Sequence, residues 1–328
     1  MAIMPPILIV MILLSIIFDF LNGVHDSSNI VATMIASRAF SPRMALGITA
    51  IAHFIAPFIF GVAVATTIGH EVVAAEAITL NVLIAALASA IIWNLLTWFL
   101  GIPSSSSHAL IGGMIGAVGI GASLDAIELR GLEKILIALF LSPIIGLILG
   151  HFFTKLVFFL ARNATPKINI FFKRSQIVSA IALSLSHGTN DAQKTMGIIT
   201  LGLVVAGVIP NFEVPLWVIT VSAAAIALGT ALGGWKLIKT LGSKFYKIRP
   251  VHGFSSQLTS AFVILGASIV GGPVSTTQVV SSSIMGVGSA DRVKMVRWGV
   301  AKEIMIAWLI TIPATAAVAA GIYWIIEM

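Results

Sequence analysis

The sequence predicts an all-α, polytopic membrane protein with an inverted-topology repeat, interrupted helices and two re-entrant-like helical hairpins. Three observations predict it. Of 328 residues, 58% are hydrophobic and 9% charged, against about a quarter charged in ordinary globular domains. Mean hydropathy is +1.07, spread along the whole chain, so a soluble domain on a single anchor does not account for it. Apolar runs of the ~20 residues that cross a bilayer recur throughout, and two pairs of polar motifs repeat in the same order half a chain apart.

The same composition excludes other classes. The net charge of +7 comes from Lys and Arg in short loops between apolar runs, an orientation signal and not a basic face, so no nucleic-acid partner is expected. There is no cysteine, hence no disulfide framework, thiolate metal site or Cys nucleophile.

The first apolar run, 1–21, lacks a basic n-region and carries Asp19 near its end; it reads as a retained span and not a cleaved signal. Spans are expected near 5–36, 44–68, 79–100, 134–161, 177–208, 216–234 and 303–326. The pieces 108–122 and 278–288 are each entered from a Gly/Pro/Ser-rich stretch. They and the segments leading into them read as half-spans; 256–270 would extend only ~22 Å as a helix. Irregular backbone at membrane depth survives where protein buries it or it lines a water-filled cavity, so two interruptions point to an internal polar site.

Charge orients the loops. Arg38 and Arg43; Arg162, Lys167, Lys173 and Arg174; the run from Lys236 to Arg249; and Arg292, Lys294 and Arg297 mark cytoplasmic segments. Glu71 and Glu76, the stretch from Asp125 to Glu133, and Glu213 lie in less positive loops. The rule that positive loops stay inside then puts both termini outside, in a multi-pass protein of the cell membrane. Trp217, Trp235, Trp298 and Trp324 fall near span ends, at the headgroup boundary indoles prefer.

GVHDSSN at 23–29 matches GTNDAQK at 188–194 with an offset of 165, setting Asp26 on Asp191. GIPSSSSHALIGGMIG at 101–116 matches GGPVSTTQVVSSSIMG at 271–286 with an offset of 170, setting Pro103 on Pro273 and Ser105, Ser106, Ser107 on Ser275, Thr276, Thr277. Walking the charge-derived topology inverts the second half, 166–328, relative to the first, 1–165. Inverted duplication with interrupted helices at matching places is how secondary transporters build a midplane site.

Each motif carries its own chemistry. Asn22, His25, Asp26, Ser27, Ser28 and Asn29, with His187, Thr189, Asn190, Asp191, Gln193 and Lys194, fall inside apolar runs. An intramembrane carboxylate costs ~3 kcal/mol even on the lenient insertion scale, so each Asp needs a cation or donor. Asp26 and Asn29 share a helical face, and Gly23 and Gly188 are expected to let the backbone unwind and offer carbonyl oxygens. Hard oxygens of this kind suit Na+ or another hard cation better than a soft metal, with no prosthetic group called for. Simple interhelical hydrogen bonding does not explain the pairing by repeat. His25 and His187 are alternatives for carrying a proton. Lys194 either neutralises Asp191 or lends positive charge to an anion; a salt bridge with the anion nearby is expected.

In PSSSSH at 103–108 and PVSTTQ at 273–278 the Pro stops one helix and Ser or Thr starts the next, leaving backbone N–H groups and hydroxyls aimed at one spot. Two such starts approaching from opposite leaflets would face a tetrahedral oxyanion between them. Ser104 to Ser107 beside His108 also invite comparison with an intramembrane serine hydrolase, but the matching half has Gln278 in place of His108, and repeat symmetry serves binding, not a single dyad. No enzyme is expected.

At 18–39 and 186–203, and at the two Pro-Ser/Thr tips, the sequence resembles the inorganic phosphate transporter (PiT) family, whose duplicated signature is a Gly-x-Asn-Asp type motif. The likeness covers essentially the whole chain. One departure is His25, where the widespread form has Asn before the Asp; the ring replaces an amide oxygen with a titratable group. The resemblance implies symport of inorganic phosphate with Na+ or H+, a metal–phosphate complex as a further form of substrate, and a homodimer in the bilayer. Sulfate carriers among the relatives leave that ion as an alternative, and a passive anion channel on the same frame is the competing class. Phosphate keeps a P–OH that can donate to Asp26 or Asp191, whereas sulfate only accepts. The expected assignment is therefore Ser105, Ser106, Ser107, Ser275, Thr276 and Thr277, with Lys194, on the phosphate, and Asn22, Asp26, Asn29, Asn190 and Asp191 on the coupling cation.

Overall fold

A computed structural model describes residues 5–70, 77–123, 126, 129–243 and 245–328. Among these it contains twelve α-helices: α1 Pro6–Ala36, α2 Pro42–Phe60, α3 Ala63–His70, α4 Leu80–Leu100, α5 Ser106–Gly121, α6 Leu129–Leu160, α7 Ile168–Val205, α8 Leu216–Leu232, α9 Trp235–Ser243, α10 Pro250–Ile269, α11 Thr276–Asp291 and α12 Trp298–Ile326. Five are long and apolar enough to cross a membrane, and α8 with α9 passes the same test as a pair bent by 70°. The protein is thus an all-helical, multi-span membrane protein. Glu71, Glu76, Asp125 and Glu128, whose charges help to orient the loops, lie outside the described residues.

Local chemistry sets the boundaries. Proline occupies the first turn of α1, α2 and α10, where its missing N–H costs nothing. Ser41 and Thr79 accept from Met44 N and Val82 N at the starts of α2 and α4. Gly101 and Gly271, matched by the 170-residue offset, have φ of +72° and +73°, a left-handed conformation available to glycine at little cost. They end α4 and α10 at equivalent points before the two tips.

Two expectations are corrected. The backbone does not unwind at Gly23 or Gly188: α1 and α7 run unbroken through both. The missing side chain serves close packing instead. A Cβ on Gly23 would sit 2.2 Å from Ile226 O on α8, and one on Gly188 would sit 2.9 Å from His53 Cα on α2. Among the described residues, breaks fall at the two Pro-containing tips, at Gly61–Val62, which splits the span expected at 44–68 into α2 and α3, and at Gly233–Gly234. Second, the basic run from Lys236 to Arg249 is not all loop. The chain bends at Gly233–Gly234 into α9, which closes the end of α4: Lys236 donates to Phe99 O, and Thr240 Oγ1 to Gly101 O at 3.1 Å. A lysine satisfying carbonyls at a helix C-terminus is favourable.

Helix packing crosses the chain midpoint. α1 lies against α8 and α7 against α2; α5 lies against α12 and α11 against α6. Small residues allow this: Gly112 and Gly116 meet α12 at Ile312 and Ala316, and Gly286 meets Leu147 O. The burial pattern is that of a protein in lipid. Phe99, Phe152, Leu160 and Phe262 point outward, the last 73% exposed, while Asp19, Asp26, His187, Asp191 and Lys194 are buried. Trp217, Trp235, Trp298 and Trp324 are exposed at helix ends.

Candidate functional site

The site is built where the polar stripes of α1 and α7 meet the starts of α5 and α11. On α1, one oxygen of Asp26 collects several partners: Asn29 Nδ2 donates to Oδ1 at 3.0 Å, Thr277 Oγ1 donates to it at 2.9 Å, and His25 Nδ1 lies 3.0 Å away. Asn29 Nδ2 also donates to Thr277 Oγ1 at 2.9 Å, closing a triangle between α1 and α11. On α7, Lys194 donates to Asp191 Oδ1 and Thr276 Oγ1 donates to Oδ2 at 3.1 Å. His187 Nδ1 is 3.1 Å from Asp191 Oδ2 but out of hydrogen-bond alignment, so its ring nitrogens remain without a hydrogen bond. Donor atoms of Asp26, His187 and Asp191 all lie within 4.8 Å of one another.

Among the described residues, Asp26 Oδ2, Asn29 Oδ1, Asn190 Oδ1 and both amide atoms of Asn22 are buried with no hydrogen-bond partner. Such orphans are rare in native proteins and ask for a ligand or water. Oxygens from carboxylates and amides fit a hard cation. Asn190 is fixed by its other end, with Nδ2 donating to Ser268 Oγ at 2.9 Å and Gly272 O at 3.3 Å, tying α7 to the second tip.

The two tips touch. Ser105 and Ser275 are N-caps, accepting from His108 N at 3.2 Å and Gln278 N at 3.4 Å. Ser107 Oγ, in the first turn of α5, donates to Val274 O at 3.1 Å, and Gln278 Nε2 lies 3.5 Å from His108 Nε2. Ser106 opens α5 and is buried. Ser107, Lys194 and Pro273 line a cavity of about 10 Å³. That is about the room a single water needs and too little for a tetrahedral oxyanion.

The threonines expected to donate to phosphate donate here to the carboxylates. A hydroxyl has one proton, and those of Thr276 and Thr277 point at Asp191 and Asp26. Either can donate to an anion only by releasing its carboxylate, and Ser107 only by releasing Val274 O. The Ser–His pair does form: Ser105 Oγ and His108 Nδ1 are 2.7 Å apart. It lies within one helical turn, the hydroxyl already caps α5, and the far ring nitrogen faces Gln278 and no carboxylate. This is a helix-start contact without the third member of a triad.

Two buried groups escaped sequence reasoning. His53 stacks on His187 with centroids 5.1 Å apart and planes at 19°, and its Nδ1 is 2.8 Å from Thr230 Oγ1; a lone His in an apolar run carries no sign of facing the other half. Asp19 bears on the signal-peptide question in sequence, and its place in an apolar run was the signal that could have marked it as an intramembrane carboxylate.

Buried carboxylates and amides, enclosed where two capped helix starts meet in a lipid-facing bundle, define a membrane transporter and not an enzyme. Residues 22–168 and 160–319 each match the phosphate transporter family, and the chain belongs to that family. It is 46% identical over 326 residues to a Bacillus subtilis (strain 168) protein described as a "Probable low-affinity inorganic phosphate transporter", covering 98% of this chain and 97% of that one. A Rhizobium meliloti (strain 1021) protein of the same description is 43% identical, with 98% and 97% covered. Among solved structures the fold is similar to "The sodium-dependent phosphate transporter", with a TM-score of 0.88 and 27% identity over 98% of this chain and 99% of that one.

Proposed function

We propose that this protein imports inorganic phosphate by symport with a cation, Na+ or H+, through alternating access around a site midway across the bilayer. The observation that carries the reading is the meeting of two Ser-capped helix starts with Asp26 and Asp191, joined through Thr277 and Thr276. Helix starts and hydroxyls favour an oxyanion, and unpartnered carboxylate and amide oxygens favour a cation; the protein holds both chemistries in one buried place. Ser105, Ser106, Ser107 and Ser275, with Lys194, receive phosphate. Asp26, Asn29 and Asn190 hold the cation. Thr276 and Thr277 stand between the two and link them. Coupling follows if the cation stabilises the conformation that binds phosphate, since each ligand then raises the other's affinity equally.

The halves 1–165 and 166–328 are read as inverted repeats with re-entrant tips and both termini outside. The crossed packing supports this: α1 on α8 mirrors α7 on α2, and α5 on α12 mirrors α11 on α6. Na+ is favoured as the coupling ion by the hard-oxygen set and by the similar protein described as sodium-dependent. Phosphate is favoured over sulfate because its P–OH can donate to a carboxylate.

The test is uptake into sealed vesicles with Na+ and pH gradients imposed separately, competed by sulfate and arsenate. Accumulation above equilibrium driven by one gradient is expected, and Asp26→Asn abolishes it. Equilibration without accumulation makes the protein a channel. An Asp26→Asn protein that folds and accumulates phosphate like wild type removes the cation assignment.

A further inference from the structure

Asp19 takes no part in the contacts above, yet it shares their setting. It precedes Asn22 by three residues and Asp26 by seven, so the three ride one face of α1. Its side chain is fully buried, and among the described residues neither carboxylate oxygen has a hydrogen-bond partner. Both amide atoms of Asn22 are equally unpartnered. The Thr195 hydroxyl on α7 approaches the Asp19 carboxylate without completing an aligned hydrogen bond, and it sits one turn beyond Asp191 on the same helical face. The lysine whose charge reaches Asp19 is Lys194, and its ammonium is held by Asp191. Among the described residues that ammonium pairs with Asp191 alone, which leaves Asp19 buried without an ion-pair partner.

A carboxylate in the bilayer interior normally has a counter-charge or donors, and an unpaired buried amide or hydroxyl is also unfavourable. Here all three kinds of unpaired oxygen occur together, from two packed helices. We propose that Asp19, Asn22 and Thr195 form a separate site for a hard monovalent cation such as Na+, about 10 Å along the axis of α1 from Asp26. One carboxylate with neutral amide and hydroxyl oxygens matches a single positive charge and hard-ligand chemistry. This detaches Asn22 from the Asp26 group, to which it makes no hydrogen bond. The site exists in one copy: the residue matched to Asp19 at the 165-residue offset is Ser184, whose hydroxyl is spent on Ala180 O at 2.7 Å.

The inference rests on the proposed cation symport, and equilibrium binding of radioactive sodium to the purified full-length protein, without phosphate, separates the two. Asp19→Asn is expected to bind one Na+ fewer than wild type. Thr195→Val is expected to bind that ion at least tenfold more weakly, and Asp26→Asn to retain it. An Asp19→Asn protein that binds as many Na+ as wild type overturns this site alone, with Asp19 then a protonated packing residue. If Asp19→Asn does not fold, unchanged Na+ binding by Thr195→Val overturns it. A wild-type protein that binds no Na+ overturns the sodium reading of the function together with this site.

Discussion

Thr277→Val tests whether the second tip is energetically joined to Asp26. Valine has nearly the shape of threonine, so the change removes one hydroxyl with little loss of packing. That hydroxyl donates to Asp26 Oδ1 at 2.9 Å and accepts from Asn29 Nδ2 at 2.9 Å. Asn29 keeps its 3.0 Å bond to Asp26, so its amide is not stranded, but the carboxylate loses one donor. A hydrogen bond to a charged group is worth about 1.5–3 kcal/mol, while cycles between membrane helices average about 0.6 and reach about 1.7 kcal/mol. The ranges overlap near 1.5 kcal/mol, about tenfold in an equilibrium constant. Thr277→Val is therefore expected to lower apparent phosphate and cation affinity about tenfold each in vesicle uptake, and Thr277→Ser to recover most of both. Thermal unfolding in detergent checks that the bundle is intact. If the valine variant transports within twofold of wild type, or the serine variant is as impaired as valine, the bond does not join the two sites.

Replacing Ser105, Ser106 and Ser107 together with Ala should weaken phosphate binding at least tenfold, read by calorimetry, and cost about 1 kcal/mol of stability from the lost cap of α5; unchanged phosphate affinity removes the tip assignment. Gly23→Ala puts a Cβ 2.2 Å from Ile226 O, a backbone atom that cannot swing aside, and should cost about 1–3 kcal/mol by forcing α1 from α8. Gly47→Ala in α2, with nothing within 4 Å, should instead be neutral or stabilising by up to about 1 kcal/mol, so equal melting temperatures for the two refute the close-approach argument. Asn29→Lys copies onto Asp26 the lysine that Asp191 has at the equivalent position, and should abolish cation dependence of uptake; a variant that keeps wild-type cation dependence refutes Asp26 as the cation carboxylate.

The long spans were legible because burial in lipid leaves a one-dimensional record: α1 and α12 are predominantly apolar, and of the spans expected at 5–36 and 303–326 the first matches Pro6–Ala36, while the second ends at Ile326 as expected but begins earlier, at Trp298. The record fails where a helix leaves lipid. The first turns of α7, with Lys173 and Arg174, are too polar to count as span, yet the helix begins at Ile168. α9 is hidden for the same reason. The pairing of Asp26 with Asp191 was visible through the repeat, since a carboxylate in an apolar run is costly and two at matching positions double that cost. Hydroxyl partners were not: whether Thr277 points at an anion or at Asp26 depends on a contact between residues some 250 positions apart. The role of Gly23 was hidden because a missing side chain permits both an unwound turn and a close approach, and only the position of α8 decides between them.

The repeat is most informative where its copies disagree. At the 165-residue offset Asn29 is matched by Lys194 and His25 by Asn190, so two equivalent carboxylates have unequal company. Asp191 is paired with a buried ammonium. Asp26 is served by an amide, a hydroxyl and an imidazole edge, and keeps one oxygen unpartnered. In a low-dielectric interior a full counter-charge and a set of neutral donors are far from equivalent. Asp191 and Lys194 together are close to neutral, and Lys194 lines the tip cavity with Ser107 and Pro273. Asp26 remains negative unless something positive joins it. Each threonine of the second tip binds one of these carboxylates, Thr276 the compensated and Thr277 the uncompensated one. Under the proposed function, a cation at Asp26 would compete for the electrons that hold Thr277, and an anion between the tips would compete for the same hydroxyl proton. α1 and α7 are unbroken and packed through glycines against α8 and α2, so on that reading the tip, and not either long helix, would be the part that answers to both ions.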